Sequence, residues 1–323
     1  MSRAQRMTKE FLTVREHCAI VAACDAKHVP FLVNALLSMQ ACFPDYPRVI
    51  IYDIGLAPLH RMELRKFDRV EVRAVPPFVE HWRLNWSWKL HALTQPTARW
   101  VLYLDLANFV VLRSLAPLFL SIRRHGYLVV SNGQRLGDIT PSSYWAVHDL
   151  LAEAYKNVRT FGAGIIGFDR QGLAFAAIEQ AAACMMLGLN LGRSADEPNR
   201  KYRPNTVRDC SMFRADQTLL NLAFRQNFGH SLQVRRTGRY GGRGGRSDHV
   251  GQFLWYSRLS RDSLVYLFKQ AGSDRVRAGA SAPATATPVN SLNWVRWLNR
   301  LTWSVQLGAL YAWRAAWLKL NVK

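Results

Sequence analysis

Trp100-Val101-Leu102-Tyr103-Leu104-Asp105-Leu106-Ala107-Asn108-Phe109-Val110-Val111-Leu112 is the stretch on which the reading of this 323-residue chain turns. Five consecutive apolar residues run into a single carboxylate, after which the apolar pattern resumes. An unbroken run of this kind reads as a strand buried on both faces, as in a mostly parallel sheet. Ligands of open α/β sheets bind at the C-terminal ends of such strands. Asp105 is therefore placed to meet a metal ion or a phosphate-bearing substrate. An Asp that merely closes a turn is the plainer alternative, and the surrounding sequence has to decide.

Working outward, strands and helices alternate. Cys18–Ala23 reads as a first buried strand with Asp25 just after it, followed by a helix over Val29–Gln40. Arg48–Tyr52 reads as a second strand running into Asp53-Ile54-Gly55, then a short helix over Leu59–Phe67 and a third strand over Val70–Ala74. A helix over Trp86–Thr94 feeds the strand that ends at Asp105. Downstream, Tyr127–Val130 and Ala163–Phe168 read as strands, and Leu173–Leu187 and the segment opened by Asp216 as helices. This order predicts an α/β fold: a doubly wound, mostly parallel sheet flanked by helices, with a C-terminal helical tail.

Composition narrows the function. Forty-three Lys and Arg against 22 Asp and Glu give a net charge of +21, an excess that favours anionic partners. Five scattered cysteines (Cys18, Cys24, Cys42, Cys184, Cys210) form no CxxC pair. They argue against a disulfide framework or a zinc site and fit a reducing compartment. The polar start MSRAQRMTKEF lacks the apolar core of a secretory leader, and no uncharged apolar run reaches the roughly 20 residues of a membrane span. The expected location is cytoplasmic, with peripheral contact to the inner face of a membrane. No nucleic-acid-binding module is recognisable, so nucleic acid is not the expected partner.

Together the segments CAIVAACD, FLVNALLSMQ, VIIYDIGL, WKLHALTQPTARWVLYLDLAN, LRSLAPLF, FGAGIIGFDR, ADQTLLNLAF and DHVG resemble, in order and spacing, the retaining GT-A glycosyltransferases, the group of glycogenin and bacterial lipopolysaccharide sugar transferases. The resemblance spans about residues 18 to 256. It implies transfer of a sugar from a nucleotide-diphosphate donor to a cell-surface glycan or glycolipid acceptor. It also implies a DxD motif that holds Mn²⁺ or Mg²⁺, which this chain alters: Asp105 is present but Ala107 stands two residues later. Asn108 replaces the missing ligand only if a turn re-aims it, and the third ligand would be His249. The resemblance further assigns Lys89 to the diphosphate, Asp25 to the nucleotide, Gly164 to close approach of the sugar, and Asp216 with Gln217 to the transferred sugar. Two plainer readings stay open, Asp25 as a helix cap and Asp216-Gln217 as solvated helix residues. An inactive nucleotide-sugar-binding or scaffolding protein of a polysaccharide assembly complex is the alternative function.

Three features lie outside that core. Trp82, Trp86 and Trp88 suit either stacking on a ligand or core packing. The basic stretch Arg235–Arg246 reads as a loop able to meet an anion. Residues 1–270 form the expected catalytic domain and 271–290 a linker. Residues 291–323 form a basic, Trp-rich amphipathic tail with Trp294, Leu298, Leu301 and Val305 on one face, suited to an anionic membrane surface.

Overall fold

The computed structural model describes residues 3–141, 155–191, 214–236, 242–243 and 253–256, all within the unit Met1–Ser260. His249, the 271–290 segment and the tail lie outside the described residues. Strands β1 (Cys18–Cys24), β2 (Arg48–Asp53), β3 (Val70–Ala74), β4 (Trp100–Leu104), β6 (Tyr127–Arg135) and β7 (Arg159–Asp169) form one sheet in the order β3-β2-β1-β4-β7-β6. The first four run parallel, and β7 lies antiparallel to both β4 and β6. The mostly parallel sheet expected from the sequence is present. A second sheet joins β5 (Phe109–Val111), β9 (Leu254–Tyr256) and β8 (Gly242–Arg243) in the order β5-β9-β8.

Side-chain alternation along each strand sorts the core into two layers. Ala19, Val21, Val101 and Tyr103 face one layer, with α4 (Ser87–Thr94), α6 (Leu173–Met186) and α7 (Ala215–Phe228). Cys18, Ile20, Trp100, Leu102 and Leu104 face the other, with α2 (Val29–Cys42) and α5 (Ala116–His125). Asp105 follows Tyr103 by two residues, so the strand's period carries it to the α4/α7 face. The functional side chains gather there.

Two elements escaped the sequence reading. α1 (Arg3–Val14) looks polar, but Phe11 is fully buried and packs on Phe43 and Phe119 at ring distances of 5.2 and 5.6 Å. The α5 segment was noted only as part of the resemblance, and it ends at Gly126 with φ +80°, a left-handed stop that suits glycine. The short helix after β2 is α3 (Pro58–Leu64), three residues shorter at its C-terminal end than expected. The stretch from Arg235, read as a loop, is partly paired: Arg235 bridges Val130 in parallel, and Gly242–Arg243 is a strand.

Gly167 of β7 marks the tightest point between sheet and α5. A Cβ there would lie 2.5 Å from Ile122 Cγ1 and 2.9 Å from Leu128 Cβ. Gly167→Ala is expected to destabilise the fold by about 1–3 kcal/mol through overpacking. A urea midpoint unchanged within error would contradict this packing.

Candidate functional site

β4 ends at Leu104, and Asp105 opens a 3₁₀ turn over Leu106–Asn108 in which the Asn108 amide donates to the Asp105 carbonyl at 2.7 Å. That turn brings Asp105, Ala107 and Asn108 together on the lining of a cleft of about 440 Å³. β7, running antiparallel alongside, fixes the carboxylate's backbone, because the Asp105 N–H donates to the Gly164 carbonyl at 2.9 Å. Gly164 allows close approach. A Cβ on it would lie 3.2 Å from Asp105 Oδ2, so any side chain would crowd the carboxylate.

Lys89 comes from α4, whose entry is strained. Asn85 and Trp86 both have positive φ (46° and 59°), a conformation that L-residues with side chains rarely adopt. Buried Asn190 holds this turn, accepting from Asn85 Nδ2 at 2.9 Å through its carbonyl and donating to Ser87 Oγ at 2.7 Å. Trp86 and Trp88 line the cleft, whereas Trp82 packs against the core. Each reading of the tryptophan cluster therefore holds for part of it.

The cleft holds a charge triad made of a buried Lys89–Asp216 pair and a half-buried Asp105. Lys89 Nζ lies 2.8 Å from Asp216 Oδ2 and 3.4 Å from Asp105 Oδ2, with the Ala163 carbonyl also at 3.4 Å. Lys89 and Asp216 are each only 4% exposed, so this ion pair is shielded from water. Burial alone would lower the Lys89 ammonium, but the Asp105 and Asp216 carboxylates outweigh it and hold its pKa above the usual lysine value. The fully buried Tyr103 hydroxyl donates to Asp105 Oδ1 at 2.6 Å. Burial, reinforced by the Asp105 charge, pushes its pKa well above that of an ordinary phenol.

α7 excludes the plainer alternative for Asp216 and Gln217, that they are solvated helix residues. Ala215 to Phe224 are all buried, so each polar side chain there needs a partner. Asp216 has Lys89, and Gln217 Nε2 donates to Thr160 Oγ1 at 3.2 Å. Thr160 in turn donates to Asn132 Oδ1 at 2.6 Å, which links Gln217 to the cleft-lining Asn132. Asn221 clamps the Phe161 backbone, accepting from its N–H and donating to its carbonyl, each at 2.9 Å. The helix is locked to β7, and its first turn is held against the cleft.

Asp25 lies at the other side, after β1. Its Oδ1 accepts from the His28 backbone N–H at 3.0 Å and meets His28 Nδ1 at 2.6 Å, while the residue also lines the cleft. It closes the turn ahead of α2, whose N-cap is His28 rather than Asp25, and lines the cleft. Gly55 at φ +142° lets the β2 turn pass close by, where its missing Cβ would sit 3.7 Å from Asp25 Cβ. Arg235 lines a separate cavity of about 200 Å³ with His125 and Tyr127. Arg239 and Arg246 lie outside the described residues.

Among the described residues no three His, Cys, Asp or Glu side chains cluster as a metal centre. The donors that the 3₁₀ turn after β4 contributes to the cleft are one carboxylate, Asp105, and one amide, Asn108. That set fits a hard cation that keeps several waters and takes further ligands from a phosphate-bearing substrate. The charges agree: Asp25, Asp105 and Asp216 outnumber Lys89 and Arg214 along the lining, so a polyphosphate entering alone would meet a surplus of negative charge. If Asn108 does not stand in for the second ligand, Ala107→Asp is expected to raise Mn²⁺ affinity by calorimetry; no gain would mean either that no metal binds in the cleft or that Asn108 already fills that place.

The sequence reading did not find Tyr103, Thr160, Asn221 or Arg214. Tyr103 carried a signal, since it stands two residues before Asp105 on a strand. The other three are brought in by tertiary contact.

No known family's sequence pattern matches the chain, and no curated protein does. Solved structures are similar to it at low identity. One is a galactosyltransferase, LgtC, in complex with donor and acceptor sugar analogs (17% identity, 79% of this chain and 95% of that one, TM-score 0.47). An active-site mutant of LgtC gives 16% identity with the same coverage and a TM-score of 0.49. The bifunctional glycosyltransferase WbbM gives 11% identity over 79% of this chain and 44% of that one, with a TM-score of 0.44.

Proposed function

We propose that the chain is a GT-A-type glycosyltransferase that moves a sugar from a nucleotide-diphosphate donor to a glycan or glycolipid acceptor. The observation that carries this reading is the buried Lys89–Asp216 pair in contact with the half-buried Asp105 at the C-terminal end of β4, on a cleft of nucleotide-sugar size. By sheet order, the nucleotide lies over the ends of β1 and β2 beside Asp25. The diphosphate lies at Lys89 and Asp105, and the sugar near Gly164, Asp216 and Gln217. A divalent ion held by Asp105 and Asn108, with His249 as the further candidate, would offset charge building on the departing diphosphate.

The chain's own residues then act by position and electrostatics. Lys89 exchanges its long 3.4 Å contacts for a phosphate oxygen while keeping the short one to Asp216. Asp216, neutralised by Lys89, presents its remaining carboxylate oxygen toward positive charge developing on the sugar. Gln217, tied back through Thr160, fixes the sugar's orientation. Retention of configuration follows from the resemblance to the retaining group, with the acceptor attacking on the face from which the diphosphate departs.

A thermal-shift screen of nucleotide sugars with and without Mn²⁺ tests the reading. One nucleotide class should stabilise the protein, and more strongly with the ion. Ligand at 100 times its Kd contributes about 2.7 kcal/mol. No shift with any nucleotide sugar would overturn it. The absent second DxD carboxylate favours one rival, a protein that binds the donor without turning it over. Donor binding with no hydrolysis or transfer would establish that reading instead.

No described helix is long and apolar enough to cross a membrane. The tail at 291–323 is proposed to dock on anionic lipid. The full chain should float with anionic vesicles, less so at high salt, and a chain ending near Ala271 should not. Equal flotation of both would place membrane contact elsewhere.

A further inference from the structure

Arg214 is a cation in the cleft that the triad leaves unused. Lys89 shares its charge between Asp105 and Asp216, whereas no described carboxylate lies within ion-pair distance of Arg214. Its Nε is buried and has no hydrogen-bond partner, although the side chain lines the cleft. A buried donor without an acceptor costs about 1–3 kcal/mol, and a native structure keeps one where something else satisfies it.

The backbone around Arg214 is fixed at both ends. Its N–H donates to the Ile139 carbonyl at 3.2 Å, and its carbonyl accepts the first helical bond of α7, from Thr218 N–H at 2.7 Å. The guanidinium is thus presented from a rigid helix start, two residues before Asp216. It belongs to the wall built by β6, β7 and α7, where Ser131, Asn132 and Gln134 also line the cleft. Asp25, His28 and Ile54 line the part over β1 and β2, on the other side of β4 in the sheet order.

We propose that Arg214 is a specificity residue for the acceptor and binds an anionic group, a phosphate or a carboxylate, carried by the acceptor sugar. The proposal rests on the glycosyltransferase reading, which assigns the β1–β2 side to the nucleotide and leaves the β6–β7 side to the acceptor. Arginine suits the task because its planar fork pairs two N–H donors with two oxygens of such a group, and its charge persists at any working pH. A neutral sugar would leave the guanidinium charge without a counter-charge, so the same residue favours charged acceptors over uncharged ones.

The test uses the full chain saturated with Mn²⁺ and the nucleoside diphosphate found in the donor screen, so that the diphosphate site is filled. Calorimetry then compares glucose 6-phosphate, glucuronic acid and glucose. The charged sugars should bind at least ten-fold more tightly than glucose. The stronger of the two identifies the anion as phosphate or carboxylate. Arg214→Gln should erase the preference and Arg214→Lys should restore part of it, while nucleoside diphosphate affinity moves less than two-fold in either variant. An equal loss of diphosphate affinity would reassign Arg214 to the donor and overturn the proposal. So would equal binding of all three sugars by the unsubstituted protein, or a preference that survives Arg214→Gln. Failure of the nucleoside diphosphate to bind the unsubstituted protein would sink the glycosyltransferase reading itself, which keeps the two failures distinct.

Discussion

Lys89→Met is expected to cost about 3–5 kcal/mol of folding stability, the loss typical when one partner of a buried ion pair is removed. Methionine fills nearly the same volume, so the penalty comes from charge. Asp216, 4% exposed, would keep a carboxylate with no cation within reach, and Asp105 would lose its only ammonium contact among the described residues. Asp216→Asn added to Lys89→Met should recover most of the loss, because the buried negative charge goes with it. Donor binding should not recover, since the ammonium is still missing. Urea midpoints of the two variants decide the matter. A cost below about 1 kcal/mol for Lys89→Met would mean that water reaches the triad. The same triad sets a pH limit for the unsubstituted protein. The folded state holds the Lys89 and Tyr103 protons more tightly than the unfolded chain, whose ordinary values are 10.5 and 10.0. Their contribution is complete below about pH 10 and is lost as pH rises through the raised folded values, where unfolding releases protons.

Asp105→Ala is expected to lower donor turnover on the order of a hundred-fold or more, the loss that follows removal of one electrostatic stabiliser in an enclosed site. It would also strand the buried Tyr103 hydroxyl, at about 1–3 kcal/mol. Asp105→Asn separates the two effects. Its amide oxygen can still accept from Tyr103, so stability should stay near that of the unsubstituted protein while turnover falls. Near-normal turnover of Asp105→Asn would remove the carboxylate from the chemistry, and with it the role proposed for a metal ion.

These expectations trace back to features of unequal visibility in the sequence. The strand-to-Asp105 run was legible because burial on both faces leaves an unbroken apolar signature, and the alternation of such runs with helical segments gave the mostly parallel sheet. Lys89 and Asp216 were legible only through resemblance. One sits in an eight-residue helix and the other in a first helical turn, and neither position alone says that the side chain is buried. The plainer alternative of solvated residues on α7 is excluded by that burial. A helix buried all round can carry Asp, Gln, Thr and Asn when each finds a partner elsewhere in the fold, and those partners lie 57 to 127 residues away in sequence. α1 was missed because its polar sequence was read only for the lack of a secretory leader, although its residues alternate at helical period and Phe11 is buried.

The sequence by itself determined the α/β class, the strand that ends at Asp105 and the basic balance of the chain. All of these are written in local pattern or composition, where the period of a strand or the count of charges needs no partner to be read. Only the tertiary structure decided that Asn108 lines the cleft, that Lys89 lies between two carboxylates, that Tyr103 secures one of them, and that Arg214 Nε has no acceptor among the described residues. Each of those depends on which side chains meet across the sheet and on how much water is left between them. Charge pairing and hydrogen bonding act over a few ångströms of space, whatever the separation along the chain.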